Sequence, residues 1–167
     1  SLKYKLQSKQ VAITTNCCAI SCQEFMEVIE LESFLPYQLV LLADQVSHQT
    51  SAIAREYGNL NLSQWRVMAA IADQPGASAQ RIVALTPMDK GIVSRAVKTL
   101  IDLQLVVRKS SESDGRISHL FLSAKGENLY AIISAQVRAF STTMERELSQ
   151  QERETFIKML RKLSESL

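Results

Sequence analysis

The stretch KGIVSRAVK, residues 90–98, places Lys90, Gly91, Ser94, Arg95 and Lys98 in one sector of a helix turning about 100° per residue. Ile92, Val93, Ala96, Val97 and, just beyond, Leu100 fall on the opposite side. A stripe of ammonium, guanidinium and hydroxyl groups is rich in hydrogen-bond donors, and it suits anionic, acceptor-rich surfaces. On an isolated amphipathic helix the same stripe would be an ordinary solvated face. Gly91 does not fit that bland reading, because glycine inside a helix costs roughly 1 kcal/mol relative to alanine. Its presence points to close approach of a partner to the backbone.

The neighbouring elements give the stripe its meaning. Ser78 is placed to cap a short helix, AQRIVAL. The chain then turns at Thr86-Pro87 into the helix that carries the stripe, with Thr86 as the expected cap, Pro87 at the first helical position and Asp89 three residues after the cap. That helix runs to about Asp102. Two short helices joined by a tight turn make a helix-turn-helix, whose second helix enters a DNA major groove with its N-terminal residues toward base edges. In that setting Arg95 suits a bidentate contact to guanine, and Lys90 or Lys98 suits a base or a phosphate. Downstream, LVVRK and ISHLFLS read as two strands joined by the turn SSESDGR, a hairpin. A hairpin beside the recognition helix would bring Arg116, at its tip, to the adjacent minor groove, where narrow A·T-rich segments attract arginine. Asp114 is expected to fix that turn and orient a nearby arginine.

Longer helices flank this unit. From Ser33 to Tyr57, Leu35, Leu39, Leu42, Val46 and Ile53 recur at three- and four-residue steps, with Pro36 in the first turn and Gly58-Asn59 at the end. Ser63 is the expected cap of a second helix running to about Gln74, with Leu62 and Val67 as its staple, and Pro75-Gly76 stops it. After Ser123 a long apolar stripe runs through Leu129, Ile133, Val137, Phe140, Met144 and Leu148, and a last helix over 150–166 carries Phe156, Leu160 and Leu163. Residues 1–25 have weak periodicity. With Met26 following and no methionine at position 1, they read as an extension ahead of the main domain.

Composition narrows the function classes. A chain of 167 residues that is 46% hydrophobic can bury a sizeable core. It has no run of about 18 apolar residues and no secretion-signal pattern, so a cytoplasmic, non-membrane protein is expected. The net charge is only +2, but residues 88–125 hold seven basic side chains against four acidic ones, while the rest is balanced. Cys17, Cys18 and Cys22 lie together near the start without partners elsewhere, so free thiols are expected rather than a disulfide framework. His48 and His119 show no ligand spacing, and no metal or cofactor is expected. No phosphate loop or nucleophile motif points to catalysis, and an enzyme is not expected.

With these residues in place, the sequence resembles the MarR family of bacterial winged-helix transcription regulators. MDKGIVSRAVKTLIDLQLVVR at 88–108 and DGRISHLFLSAKG at 114–126 carry the match. The resemblance implies a mainly α fold with a small β-hairpin wing. It implies a winged helix-turn-helix domain with long N- and C-terminal dimerisation helices, and a homodimer on a pseudo-palindromic double-stranded DNA operator. It assigns Ser94, Arg95 and Lys98 to base or groove contacts, Ser78 and Gln80 to the DNA backbone, and Arg116 to the wing contact. The expected division is 1–32 as extension, 33–60 as first dimerisation helix, 61–123 as DNA-binding domain and 124–167 as C-terminal dimerisation helices. The resemblance also implies repression relieved by a small aromatic or anionic effector, for which Tyr37, His48, Trp65 and Arg66 are candidate lining residues. Of these, Trp65 reads first as plain core and His48 as a solvated helix residue. In the peroxide-sensing branch a cysteine follows the Leu-x-x-Gln-Leu context, and here Leu35-Pro36-Tyr37-Gln38-Leu39 is followed by Val40. That form of redox sensing is therefore not expected. The alternatives are a winged-helix protein-interaction module without DNA binding and a regulator responding through the three N-terminal cysteines.

Overall fold

A computed structural model describes residues 28–110 and 118–166. Six helices and one hairpin follow in the order α1 (Leu35–Gly58), α2 (Leu62–Asp73), α3 (Ala79–Leu85), α4 (Lys90–Asp102), β1 (Val106–Ser110), β2 (Ser118–Leu122), α5 (Ala124–Glu145) and α6 (Gln150–Ser164). The fold is the mainly α architecture with a β-hairpin wing that the sequence implies. Cys17, Cys18, Cys22, Asp114 and Arg116 lie outside the described residues.

Two helix starts differ from expectation. Helix α2 is capped by Asn61 rather than Ser63: Asn61 Oδ1 accepts from Gln64 N–H at 2.9 Å, and Gln64 Oε1 accepts from Asn61 N–H at 2.8 Å. The reciprocal pair satisfies two orphan donors, whereas a cap at Ser63 would put Arg66 at the third position, where it has no acceptor to return. Leu60 and Trp65, both buried, take the staple positions in place of Leu62 and Val67. Helix α4 is capped by Asp89, not Thr86. The Thr86 hydroxyl is already donated to Ile82 O at 2.8 Å, closing α3, and the Asp89 carboxylate accepts from Ile92 N–H at 2.8 Å. Lys90 and Gly91 therefore open the helix.

The core gathers around α2 and α4. Met68 and Ile71 of α2, Ile82 of α3, Val93 and Leu100 of α4, Leu120 of β2 and Ile133 of α5 are all buried. Strands β1 and β2 pair antiparallel in the register Val106↔Leu122, Arg108↔Leu120 and Ser110↔Ser118. A further pairing was not legible in the sequence: Gly76 N–H donates to Leu120 O at 2.9 Å and Leu120 N–H to Ala77 O at 3.2 Å. The turn after α2, where Gly76 has φ of +85°, thus forms a third edge to the wing.

The first turn of α5 grips the α4–β1 connection. Three successive carbonyls accept from it: Leu103 O from Lys125 Nζ at 3.0 Å, Gln104 O from the Ser123 hydroxyl at 2.7 Å, and Leu105 O from Ser123 N–H at 3.0 Å. Gly126 is buried against this connection, and a Cβ there would fall inside the van der Waals envelope of Leu105 O. Farther along, Glu145 joins α5 to α6. It accepts from the Ser141 hydroxyl at 2.6 Å and pairs with Arg153 at 2.7 Å.

Two outcomes follow. Gly126→Ala must push α5 off a backbone carbonyl, so urea unfolding should show a loss of about 1–3 kcal/mol; unchanged stability would contradict the close approach. The Ser141 hydroxyl, and after it Arg153, hold the Glu145 carboxyl below the ordinary glutamate range. A depressed folded pKa contributes stability that is present above the unfolded value, about 4.3, and is lost as pH falls through the folded value. The stability difference between the parent and Glu145→Gln should therefore stay level above about pH 5 and shrink below it. Thermal melts across pH check this, and a gap that widens with acid would contradict it.

Candidate nucleic-acid interface

Helix α4 separates its two faces cleanly. Val93, Ala96, Val97 and Leu100 are buried, while Lys90, Gly91, Ser94, Arg95 and Lys98 are all exposed. The sector read from the sequence is therefore one solvent-facing surface, held outward because the opposite side is packed on α2 and α3. The Asp89 cap orders its first turn. Arg95 borders a groove of about 330 Å3 shared with Asn61, Ser63 and Gln64 at the start of α2 and Thr99 of α4.

The first turn of α3 adds to this region. The Ser78 hydroxyl accepts from Arg81 N–H at 3.2 Å and so has a structural duty as cap, while Gln80 is exposed. Arg81, which sequence reasoning passed over, is exposed in the same turn, and its Nε donates to Gln74 Oε1 at 2.8 Å. The signal for it was present, since a cation at the third position of a capped helix faces outward with Gln80.

The wing is tied to the body on one side and presents cations on the other. His119 Nδ1–H donates to Gly76 O at 2.8 Å, anchoring β2 to the turn after α2. Arg108 and Lys109 of β1 are exposed, and Lys109 Nζ lies 4.9 Å from the centre of the Phe121 ring, so its charge is carried along the hairpin surface.

The four candidate effector residues occupy different settings. Trp65 is buried and stacks on Tyr130 with ring centroids 5.5 Å apart and planes 18° apart, which makes it part of the core. Arg66 is half-buried and donates through Nη2 to the Ser47 hydroxyl at 3.1 Å, joining α2 to α1. His48 is exposed on α1, 3.6 Å from Asp44. Tyr37 lies exposed in the first turn of α1. No helix among the described residues is long and apolar enough to cross a membrane.

Comparison with known proteins agrees with this geometry. Residues 59–117, spanning α2, α3, α4 and the first strand of the wing, match the MarR family model. The HTH-type transcriptional regulator BilQ of Clostridium symbiosum is 23% identical over 135 residues, which cover 81% of this chain and 92% of BilQ. Among solved structures, a MarR/EmrR family transcriptional regulator from Acinetobacter sp. ADP1 superposes with a TM-score of 0.76 at 22% identity, covering 83% of this chain and 97% of that one. A MarR family regulator from Listeria monocytogenes, solved with a 26mer DNA, superposes with a TM-score of 0.73 at 21% identity, covering 80% of this chain and 88% of that one. The MarR family match falls on the segment that builds the exposed basic face, and the helix order and hairpin around it agree with the fold of the MarR family structures.

Proposed function

We propose that this protein binds double-stranded DNA sequence-specifically as a homodimer, represses from a pseudo-palindromic operator, and is released by a small aromatic or anionic effector. The observation that carries the DNA reading is the single exposed face of α4 bearing Lys90, Ser94, Arg95 and Lys98 beside a cation-bearing hairpin. A helix about 10–12 Å across fits a major groove about 12 Å wide. In that pose Arg95 offers its planar fork to guanine, Ser94 a hydroxyl to a base edge, and Lys90 and Lys98 a charge to bases or phosphates. Ser78 and Gln80 meet the backbone from the first turn of α3, and Arg116 enters the flanking minor groove. The relative from Listeria, solved with DNA, supports this reading.

The helical arms support the dimer. Helix α6 buries no residue within the described chain, and Phe156, Met159, Leu160 and Leu163 are exposed along it. With Met144, Leu148 and Leu42 of α1 the same helix borders a mainly apolar groove of about 900 Å3. Exposed apolar area of this extent on a regular helix marks an interface. A second copy is the occupant that a twofold operator requires, because it sets two α4 helices about one DNA turn apart. Release by an effector rests on the family resemblance. Of the four candidate residues, Arg66 is the one already bridging α1 and α2, so an anion there would compete with Ser47 for the guanidinium.

Selection from random-sequence duplexes, followed by binding titrations at several salt concentrations, tests the DNA reading. Affinity should fall steeply as salt rises, and Arg95→Ala should cost about 1–3 kcal/mol on the selected duplex. Binding indifferent to both would assign the module to protein contacts instead. For the dimer, Phe156→Asp with Leu160→Asp should shift sedimentation toward the monomer while far-ultraviolet circular dichroism stays helical; an unchanged dimer would place the interface elsewhere.

A further inference from the structure

We propose that Gln74 and Arg81 form one phosphate contact, in which the Gln74 amide is a positioning residue that holds the Arg81 guanidinium ready for the DNA strand passing between α4 and the wing. The proposal rests on the DNA reading above. Arg81 Nε donates to Gln74 Oε1 at 2.8 Å. That acceptor is a neutral amide rather than a carboxylate, so it fixes the side chain and leaves its charge unspent. The ion pairs among the described residues, His48 with Asp44 and Arg153 with Glu145, do not involve Arg81. With Nε engaged, the terminal amino groups of the guanidinium remain as donors, and the Gln74 amide nitrogen adds another beside them. A held cation among donors suits a phosphate, whose free oxygens only accept.

Both residues stand where the helix-turn-helix meets the wing. Gln74 is half-buried at the end of α2, with its N–H donated to Ala70 O at 3.0 Å and its carbonyl accepting from Ala77 N–H at 3.0 Å. In the same turn Gly76 and Ala77 pair with Leu120 of β2, so the amide is anchored on the edge of the wing. Gln80 and Arg81 are exposed on α3, while Ile82 beside them is buried. Helix α3 is the first helix of the helix-turn-helix, the one that crosses the DNA backbone. A helix in the major groove and a hairpin in the adjacent minor groove straddle one sugar-phosphate strand, and the span between them faces it. An unheld arginine gives up rotamer freedom when it binds, a cost that the bond to Gln74 reduces.

The test uses the full-length chain, a duplex that it retains from a random-sequence library, single-base-pair variants of that duplex and bulk non-specific DNA. Each is titrated at several salt concentrations, with thermal unfolding alongside. Arg81→Ala should weaken binding by the same factor on every duplex, and should lower the slope of log affinity against log salt by about 0.9 for each Arg81 in the bound assembly. Gln74→Met keeps the side-chain length and removes the acceptor. It should weaken binding roughly 2- to 12-fold per site, the worth of one immobilised side chain, while salt slope and melting temperature stay at parental values. In the Arg81→Ala background the same substitution should change nothing. A parental salt slope in Arg81→Ala, a loss confined to one base pair, parent-like binding by Gln74→Met, or a Gln74→Met loss that persists without Arg81 would overturn the proposal while leaving DNA binding intact. Failure of the parent to retain any sequence preferentially would instead overturn the DNA reading, and this proposal with it.

Discussion

The geometry of the unit formed by α3, α4 and the hairpin depends on the grip of the first turn of α5 on the chain between α4 and β1. Three consecutive carbonyls, those of Leu103, Gln104 and Leu105, are occupied by Ser123 and Lys125, and Gly126 has no Cβ because Leu105 O stands where it would be. This fixes the C-terminal end of α4, the first residue of the wing and the start of the long arm at one point. Of the three, the residue Leu105 is buried, and its carbonyl left unpaired would carry a desolvation cost of about 1–3 kcal/mol. A rotation of α5 must therefore be felt by α4.

At the other end of the unit, the turn after α2 performs a similar service for the wing. Gly76 and Ala77 pair with Leu120, and His119 binds Gly76 O, so β2 is held from both sides although the sheet has only two formal strands. The basic face of α4 and the hairpin cations then belong to one rigid surface. The arms contrast with it: α6 is tied to α5 through Glu145 and Arg153 and otherwise leaves its apolar side exposed.

The periodic part of this architecture was legible because helical spacing and turn residues act locally. The sector of α4 follows from 100° per residue alone, and Ser78 is identifiable as a cap from residue type and position. Asn61 and Asp89 each compete with a nearby hydroxyl residue: Asn61 prevails over Ser63 because Gln64 returns the capping bond, and Asp89 over Thr86 because the Thr86 hydroxyl is spent on Ile82 O. The Gly76–Leu120 pairing joins residues far apart in sequence and leaves no local pattern. In the same way, Trp65 as a core residue stacked on Tyr130 depends on a long-range contact. Gly91 was conspicuous from its cost in a helix, but its neighbours Asp89 and Arg95 become visible only when the first turn is built.

The central claim is that α4 reads DNA in the major groove with the hairpin flanking it, and methylation interference on a selected duplex tests it most directly. Methyl groups on guanine N7 occupy the major groove, whereas those on adenine N3 occupy the minor groove. The account predicts two clusters of guanine interference about one helical turn apart, with adenine interference outside them. Binding that tolerates guanine N7 methylation throughout would contradict it.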